Sequence, residues 1–206
     1  MIHDVWGLSD HTRDLAGRLA AEDFAVLAVD LYRRRDASQI RDPGAWMRGL
    51  RDAEVLADVQ AAAGFLAAGP SRGRAVGVTG FCMGGMYALL AACLCEGLAA
   101  AAPFYGMLSY DGDLLKGKTG TPPLGAAADL RCPLLAFFGA EDPYIPIAEV
   151  ERLREGLPGG GPPAEIVVYP GAGHAFLNDT RPEAYRPDAA RDAWQRLVAF
   201  LKAQLG

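Results

Sequence analysis

The chain has 206 residues, which sets a prior of one domain and at most two. Its 20 Lys and Arg stand against 25 Asp and Glu, and the resulting charge of −5 argues against a nucleic-acid partner, which selects a basic face. With 51% hydrophobic and 22% charged residues it has the composition of a globular domain, not of a disordered chain, and no apolar run reaches the roughly 18 residues of a membrane span.

Helix-like and strand-like segments alternate along the chain. Ser9 is placed to cap a helix over residues 10–22, with Leu15, Leu19 and Ala20 at helical spacing. Phe24-Ala25-Val26-Leu27-Ala28-Val29 is a continuous apolar run that predicts a buried parallel strand. Residues 45–68, rich in Ala and Leu and free of Pro, predict one long helix that Gly69-Pro70 and Gly73 end. Val76–Thr79 predicts a second strand, residues 84–96 a helix of small side chains, and Ala100–Tyr105 a third strand. Residues 106–130, rich in Gly and Pro, predict a long surface excursion, either a lid or a plain connection. A fourth strand is expected over Leu134–Phe138, then a helix near 147–157, the Gly159-Gly160-Gly161-Pro162-Pro163 loop, a fifth strand over Ile166–Tyr169, and a last helix over 188–205. Repeated β-then-α units imply an α/β fold with a mostly parallel sheet flanked by helices on both faces, one domain over 1–206.

Gly80-Phe81-Cys82-Met83-Gly84-Gly85 follows a strand and precedes a helix. This is the spacing of a nucleophile elbow, with Cys where Ser is usual. A sharp turn there exposes the sulfur at a helix N-terminus, whose free N–H groups and dipole favour a thiolate. It also aims the Met83 N–H at the oxyanion of a tetrahedral intermediate. Asp142, just after the fourth strand, and His174, just after the fifth, fall on the same edge of the sheet as Cys82. The chain order of nucleophile, acid and histidine is that of a hydrolytic triad on this fold. In that triad His174 moves the proton and Asp142 orients the imidazole.

The other candidates read as structural. Four cysteines (Cys82, Cys93, Cys95, Cys132) are too few for a disulfide scaffold and imply thiols in a reducing compartment, the cytoplasm. Cys93 and Cys95 lie two apart on a helix and do not face one another, so neither a metal nor a redox pair is expected. Arg33-Arg34-Arg35 reads as a solvated loop, and His3 and His11 as structural loop residues.

Gly-Phe-Cys-Met-Gly-Gly (80–85), Gly-Ala-Glu-Asp-Pro-Tyr-Ile-Pro (139–146) and Gly-Ala-Gly-His-Ala-Phe (171–176) resemble the motifs of dienelactone hydrolases. So do His3-Asp4-Val5-Trp6-Gly7-Leu8, Asp30-Leu31-Tyr32 and Arg181-Pro182-Glu183-Ala184-Tyr185. The resemblance implies an α/β-hydrolase fold and cofactor-free cleavage of a small ester or lactone through an acyl-thiol intermediate; the oligomeric state is not read from the sequence, with a monomer favoured. It carries Cys82 over as nucleophile, Asp142 and His174 as its partners, and the Val5 and Met83 amides as oxyanion donors. Asp4 stands where family members have a Glu that helps form the thiolate. Asn178 stands where they have a carboxylate-binding Arg, which leaves Arg48, Arg51 and Trp6 as the other substrate-binding candidates. Family members also have an interior strand leading into the His3 segment, of which Met1-Ile2-His3 remain, so the expectation is a reading frame that begins upstream or a truncated homologue. The rival reading is a catalytically silent or fragmentary α/β-hydrolase-fold protein acting as a binding module.

Overall fold

The computed structural model describes residues 1–33, 39–69 and 73–206. Arg34 and Arg35 of the basic run, and the Pro70 expected to end the long helix, lie outside the described residues. Four strands, β1 (Val76–Phe81), β2 (Leu98–Phe104), β3 (Leu134–Gly139) and β4 (Ala164–Tyr169), form one parallel sheet in sequential order. Their registers bring Phe81 beside Phe104 and Phe104 beside Phe137. These three rings stack across the sheet at centroid distances of 4.9 and 4.4 Å, so the strands end together at one aromatic rim.

Helices cover the sheet, which is why the strands read as continuous apolar runs rather than alternating ones. Helix α4 (Met83–Leu94) packs on β1 and β2, α6 (Ile147–Gly156) joins β3 to β4, and α7 (Pro187–Leu205) crosses β1, β2 and β3. All six residues of β3 are buried. Helix α1 (Asp10–Ala21) begins where predicted, its first turn capped by the Ser9 hydroxyl, which accepts the Thr12 N–H at 3.3 Å. Among the described residues no helix is long and apolar enough to cross a membrane.

Three expectations need correction. The predicted helix over 45–68 is two helices, α2 (Pro43–Arg48) and α3 (Asp52–Ala68). Asp42 caps α2 by accepting the Ala45 N–H, Gly49 ends it, and the buried Lys118 ammonium takes the freed Leu50 carbonyl at 2.8 Å. That partner is distant in sequence, so local helix propensity could not reveal the break.

Residues 106–130 do not lie loosely on the surface. Met107, Leu108, Leu115, Ala126 and Ala127 are buried, the last residues forming the short α5 (Pro123–Ala126) and the turn after it. Lys118 inserts against Asp52 at 2.8 Å, and Asp52 also accepts the Tyr87 and Tyr110 hydroxyls at 2.9 and 2.8 Å. A buried cation with a carboxylate and a carbonyl is satisfied, and losing one partner would leave a costly charge.

Phe24–Val29 is extended and half-buried, but only Val29 forms a ladder bridge, to Ile2. Ile2 bridges Gly80 of β1 on its other side. Its N–H donates to the Thr79 carbonyl (2.8 Å), while the Val29 N–H donates to the Met1 carbonyl (3.0 Å). Below Met1 a cleft of about 620 Å³ separates Phe24–Leu27 from Val76–Thr79. Residues 24–26 therefore have no ladder partner across it among the described residues, and an apolar run without a neighbour does not become a strand. The Met1 amino group is buried at the head of this cleft, donating to the Leu27 carbonyl at 2.8 Å, and burial pulls its pKa down to about 5.

Candidate active site

The turn from β1 into α4 places Cys82 at φ 57° and ψ −116°, a region that L side chains rarely adopt. The surrounding glycines permit it. A Cβ on Gly80 would sit 2.1 Å from the Gly84 carbonyl oxygen, and one on Gly84 would sit 2.3 and 2.6 Å from the Ile2 and His3 carbonyl oxygens. Only hydrogen fits at either place, so the Gly-x-Cys-x-Gly spacing is a steric requirement of this backbone. The Cys82 N–H donates to the Phe104 carbonyl (3.0 Å), which ties the turn to the neighbouring strand. The sulfur is left half-buried at the start of α4.

Asp142 follows β3 and His174 follows β4, at the same rim. His174 Nδ1 and Asp142 Oδ2 are 2.7 Å apart, and the other carboxylate oxygen accepts the Tyr144 N–H at 2.9 Å. The carboxylate is fully buried. The Cys82 sulfur is near enough to the same imidazole to act on its charge. Because Nδ1 is held by Asp142, Nε2 is the nitrogen left for the sulfur. Burial of the ring disfavours its cation, but the Cys82 sulfur and the Asp142 carboxylate outweigh that and push the His174 pKa up to about 10. Two aromatic edges hold the ring, Tyr105 at 5.3 Å and Tyr144 at 5.0 Å between centroids. Neither tyrosine was singled out from the sequence. The available signal was position alone, since Tyr105 ends β2 at the rim and Tyr144 lies two residues beyond Asp142.

Tyr144 also borders a cleft of about 640 Å³, shared with Arg48, Met107, Ser109, Pro143 and Glu149. Asp4–Gly7 form a tight turn, with the Gly7 N–H donating to the Asp4 carbonyl. The Asp4 carboxylate accepts the Trp6 N–H (2.9 Å), and burial raises its pKa. Among the described residues neither the Val5 N–H nor the Met83 N–H has an acceptor in the protein.

The model of the dienelactone hydrolase family matches residues 1–205. The chain belongs to the dienelactone hydrolase family. A relative in Escherichia coli (strain K12), provisionally named carboxymethylenebutenolidase, is 36% identical over 207 residues, 98% of this chain and 75% of its own. A Bradyrhizobium protein provisionally named 2-oxo-3-(5-oxofuran-2-ylidene)propanoate lactonase is 32% identical, over 98% of this chain and 81% of its own. The crystal structure of a Klebsiella pneumoniae protein provisionally described as a dienelactone hydrolase superposes with a TM-score of 0.89 at 35% identity, over 98% of this chain and 84% of that one.

The remaining candidates in this dienelactone hydrolase family member fall in different places. Arg48 lines the cleft beside Tyr144, donating from Nη1 to the Leu114 carbonyl (3.1 Å) with Nη2 3.6 Å from Asp42. Arg51 opens α3, pairs with Glu54 and lines a different cleft with Tyr32, Arg33 and Asp58, so the structure does not bring the two arginines together. Asn178 is buried, and its side-chain oxygen is taken by the Thr180 N–H (3.0 Å) and hydroxyl (2.7 Å), making it a turn former. Trp6 is 47% exposed, which excludes core packing. Cys93 and Cys132 are buried, and burial lifts their pKa values to about 12 and about 11. Burial also raises that of Cys95.

Proposed function

We propose that the protein hydrolyses a small carboxylic ester or lactone through Cys82, His174 and Asp142, with an acyl-thiol intermediate. The observation that supports this most is one imidazole held by a buried carboxylate at 2.7 Å, with the sulfur of the elbow cysteine near enough to act on its charge. The family membership and the relative named as a lactonase support the substrate class.

In this reading His174 Nε2 takes the Cys82 thiol proton beforehand to give a thiolate–imidazolium pair, and Sγ then bonds to the substrate carbonyl carbon. The carbonyl π electrons move to oxygen, where the unpartnered Val5 and Met83 N–H groups stabilise the charge. Collapse breaks the acyl C–O bond, and the imidazolium returns its proton to the departing alkoxide. In a lactone that alcohol stays tethered to the acyl group. Water then gives a proton to His174 and adds to the thioester, and expulsion of the sulfur frees the acid. Asp142 holds the ring's orientation and stabilises the imidazolium throughout. Asp4, with its carboxylate turned to the Trp6 N–H, shapes the oxyanion turn. The cleft of Arg48, Met107 and Tyr144 is the seat of the substrate, with Arg48 the one candidate cation that borders it.

Turnover of p-nitrophenyl acetate by Cys82→Ala, checked for folding by circular dichroism, tests the reading. The expected loss is at least about 10³-fold. Thiol titration of the wild type should show one fast thiol and three slow ones, since the other three are buried with raised pKa values. Unchanged turnover in the variant would end the assignment. An inert wild type without a fast thiol would mark a binding module instead.

A further inference from the structure

His3 is fully buried although it precedes a turn at the rim of the sheet. Its ring nitrogens meet two backbone groups of opposite character. Nε2 lies 3.0 Å from the Leu31 N–H, which can only donate, and Nδ1 lies 2.5 Å from the Asp4 carbonyl oxygen, which can only accept. The neutral Nδ1–H tautomer satisfies both at once, and no other protonation state does. The ring also rests against Tyr32 at 5.0 Å, and the Tyr32 hydroxyl reaches Met83 Sδ at 3.4 Å.

The Asp4 carbonyl and the Val5 N–H belong to one peptide unit. That unit is planar, and its C=O and N–H point in opposite directions. Fixing the carbonyl therefore fixes the direction of the N–H. Among the described residues the other donor to that carbonyl is the Gly7 N–H, at a long 3.3 Å across the turn. Meanwhile the Asp4 carboxylate holds the next amide, that of Trp6. Among the described residues nothing accepts the Val5 N–H, which is aimed away from the turn.

We infer that His3 is a positioning residue for hydrolysis: its Nδ1–H locks the Asp4–Val5 peptide plane and so points the Val5 N–H at the developing oxyanion. The inference rests on the reaction proposed above. It explains why a histidine is buried beside a carbonyl where an apolar residue would pack, and it gives the contact with the Leu31 N–H its part, which is to select the tautomer that donates to Asp4. Burial lowers the His3 pKa, which keeps the ring neutral and the tautomer intact at neutral pH.

Two amide variants separate the two bonds. The amide nitrogen of Asn falls near the position of Nδ1, and the end of a Gln side chain reaches that of Nε2. His3→Asn retains a donor to Asp4 and loses the acceptor for Leu31. His3→Gln retains that acceptor and loses the donor to Asp4. Each removes one buried hydrogen bond, so a purely structural role predicts matched falls in melting temperature and matched kinetics. The positioning role predicts a kcat roughly 10–100-fold lower in His3→Gln at nearly unchanged KM, and a kcat within about threefold of wild type in His3→Asn. The rate of thiol labelling at Cys82 should stay at its wild-type value in both. Equal kcat in the two variants, or a loss confined to KM, overturns the inference. Nitrogen-15 shifts of the three histidines in the wild type give a readout that needs no variant to fold. A neutral Nδ1–H ring for His3 supports the role, and an Nε2–H ring overturns it. A wild-type rate retained by Cys82→Ala would instead sink the underlying reaction, whatever the His3 variants do.

Discussion

The two sides of β1 show how unequal support along one strand divides labour in this protein. Toward β2, every residue of β1 has a register partner, α4 packs on the pair, and backbone atoms approach so closely that Gly85 cannot carry a side chain. Toward Phe24–Val29, one residue, Ile2, bridges the gap, and an apolar cleft opens below it. The strained Cys82 backbone is built on the crowded side, where its surroundings over-determine it. Among the described residues the half-buried margin carries no strained residue next to the cleft other than Asp23 in the turn that enters it.

That contrast predicts unequal responses to mutation. Gly85→Ala should be the most damaging, because its Cβ would lie 2.2 Å from the Phe104 carbonyl oxygen of β2, and backbone has nowhere to retreat. We expect a stability loss of roughly 3 kcal/mol or more in urea titration, with activity lost alongside it. Val26→Ala on the cleft wall should cost only about 0.5–1 kcal/mol, because Val26 is half-buried and has less contact to lose. A cost at Val26 equal to that at Gly85 would erase the distinction between the two sides.

The two sides should also titrate in opposite senses. His3 and His11 have their pKa values lowered by burial, as has the Met1 amine. Each binds its proton more readily in the unfolded chain. Their contribution is full above the unfolded pKa and is lost as the pH falls below 6.5 for the histidines, and from 8 toward 5 for the amine. His174 has a raised pKa, so its contribution is full below 6.5 and is lost as the pH rises through about 10. Urea midpoints measured from pH 5 to 10 should therefore fall at both ends. In His174→Ala the alkaline decline should flatten while the acid one persists. If the acid arm flattened instead, the assignment of the two arms would be wrong.

Much of the site was legible because its constraints are local. Gly80, Cys82 and Gly84 announce a turn whose sterics admit few other residues, and Asp142 and His174 sit directly after apolar runs that had to be strands. The strand over 24–29 was misread for a non-local reason, since an apolar run becomes a strand only where a neighbour offers a ladder. The helix over 45–68 was misread because the group that takes the Leu50 carbonyl, Lys118, arrives from 68 residues away. Tyr105 and Tyr144 were passed over because an aromatic residue at a strand end looks like core until the ring it touches is known.

By itself the sequence determined the order of β and α units, the glycine spacing around Cys82, and the residue types able to form a triad, because these depend on sterics and periodicity within a few residues. Tertiary structure decided which imidazole meets which carboxylate, which side chains clamp that ring, and how a buried histidine sets the plane of a peptide beside the site. Those outcomes depend on strand order and loop closure, which bring together groups as far apart in the chain as Cys82 and His174, and no local pattern encodes such a distance.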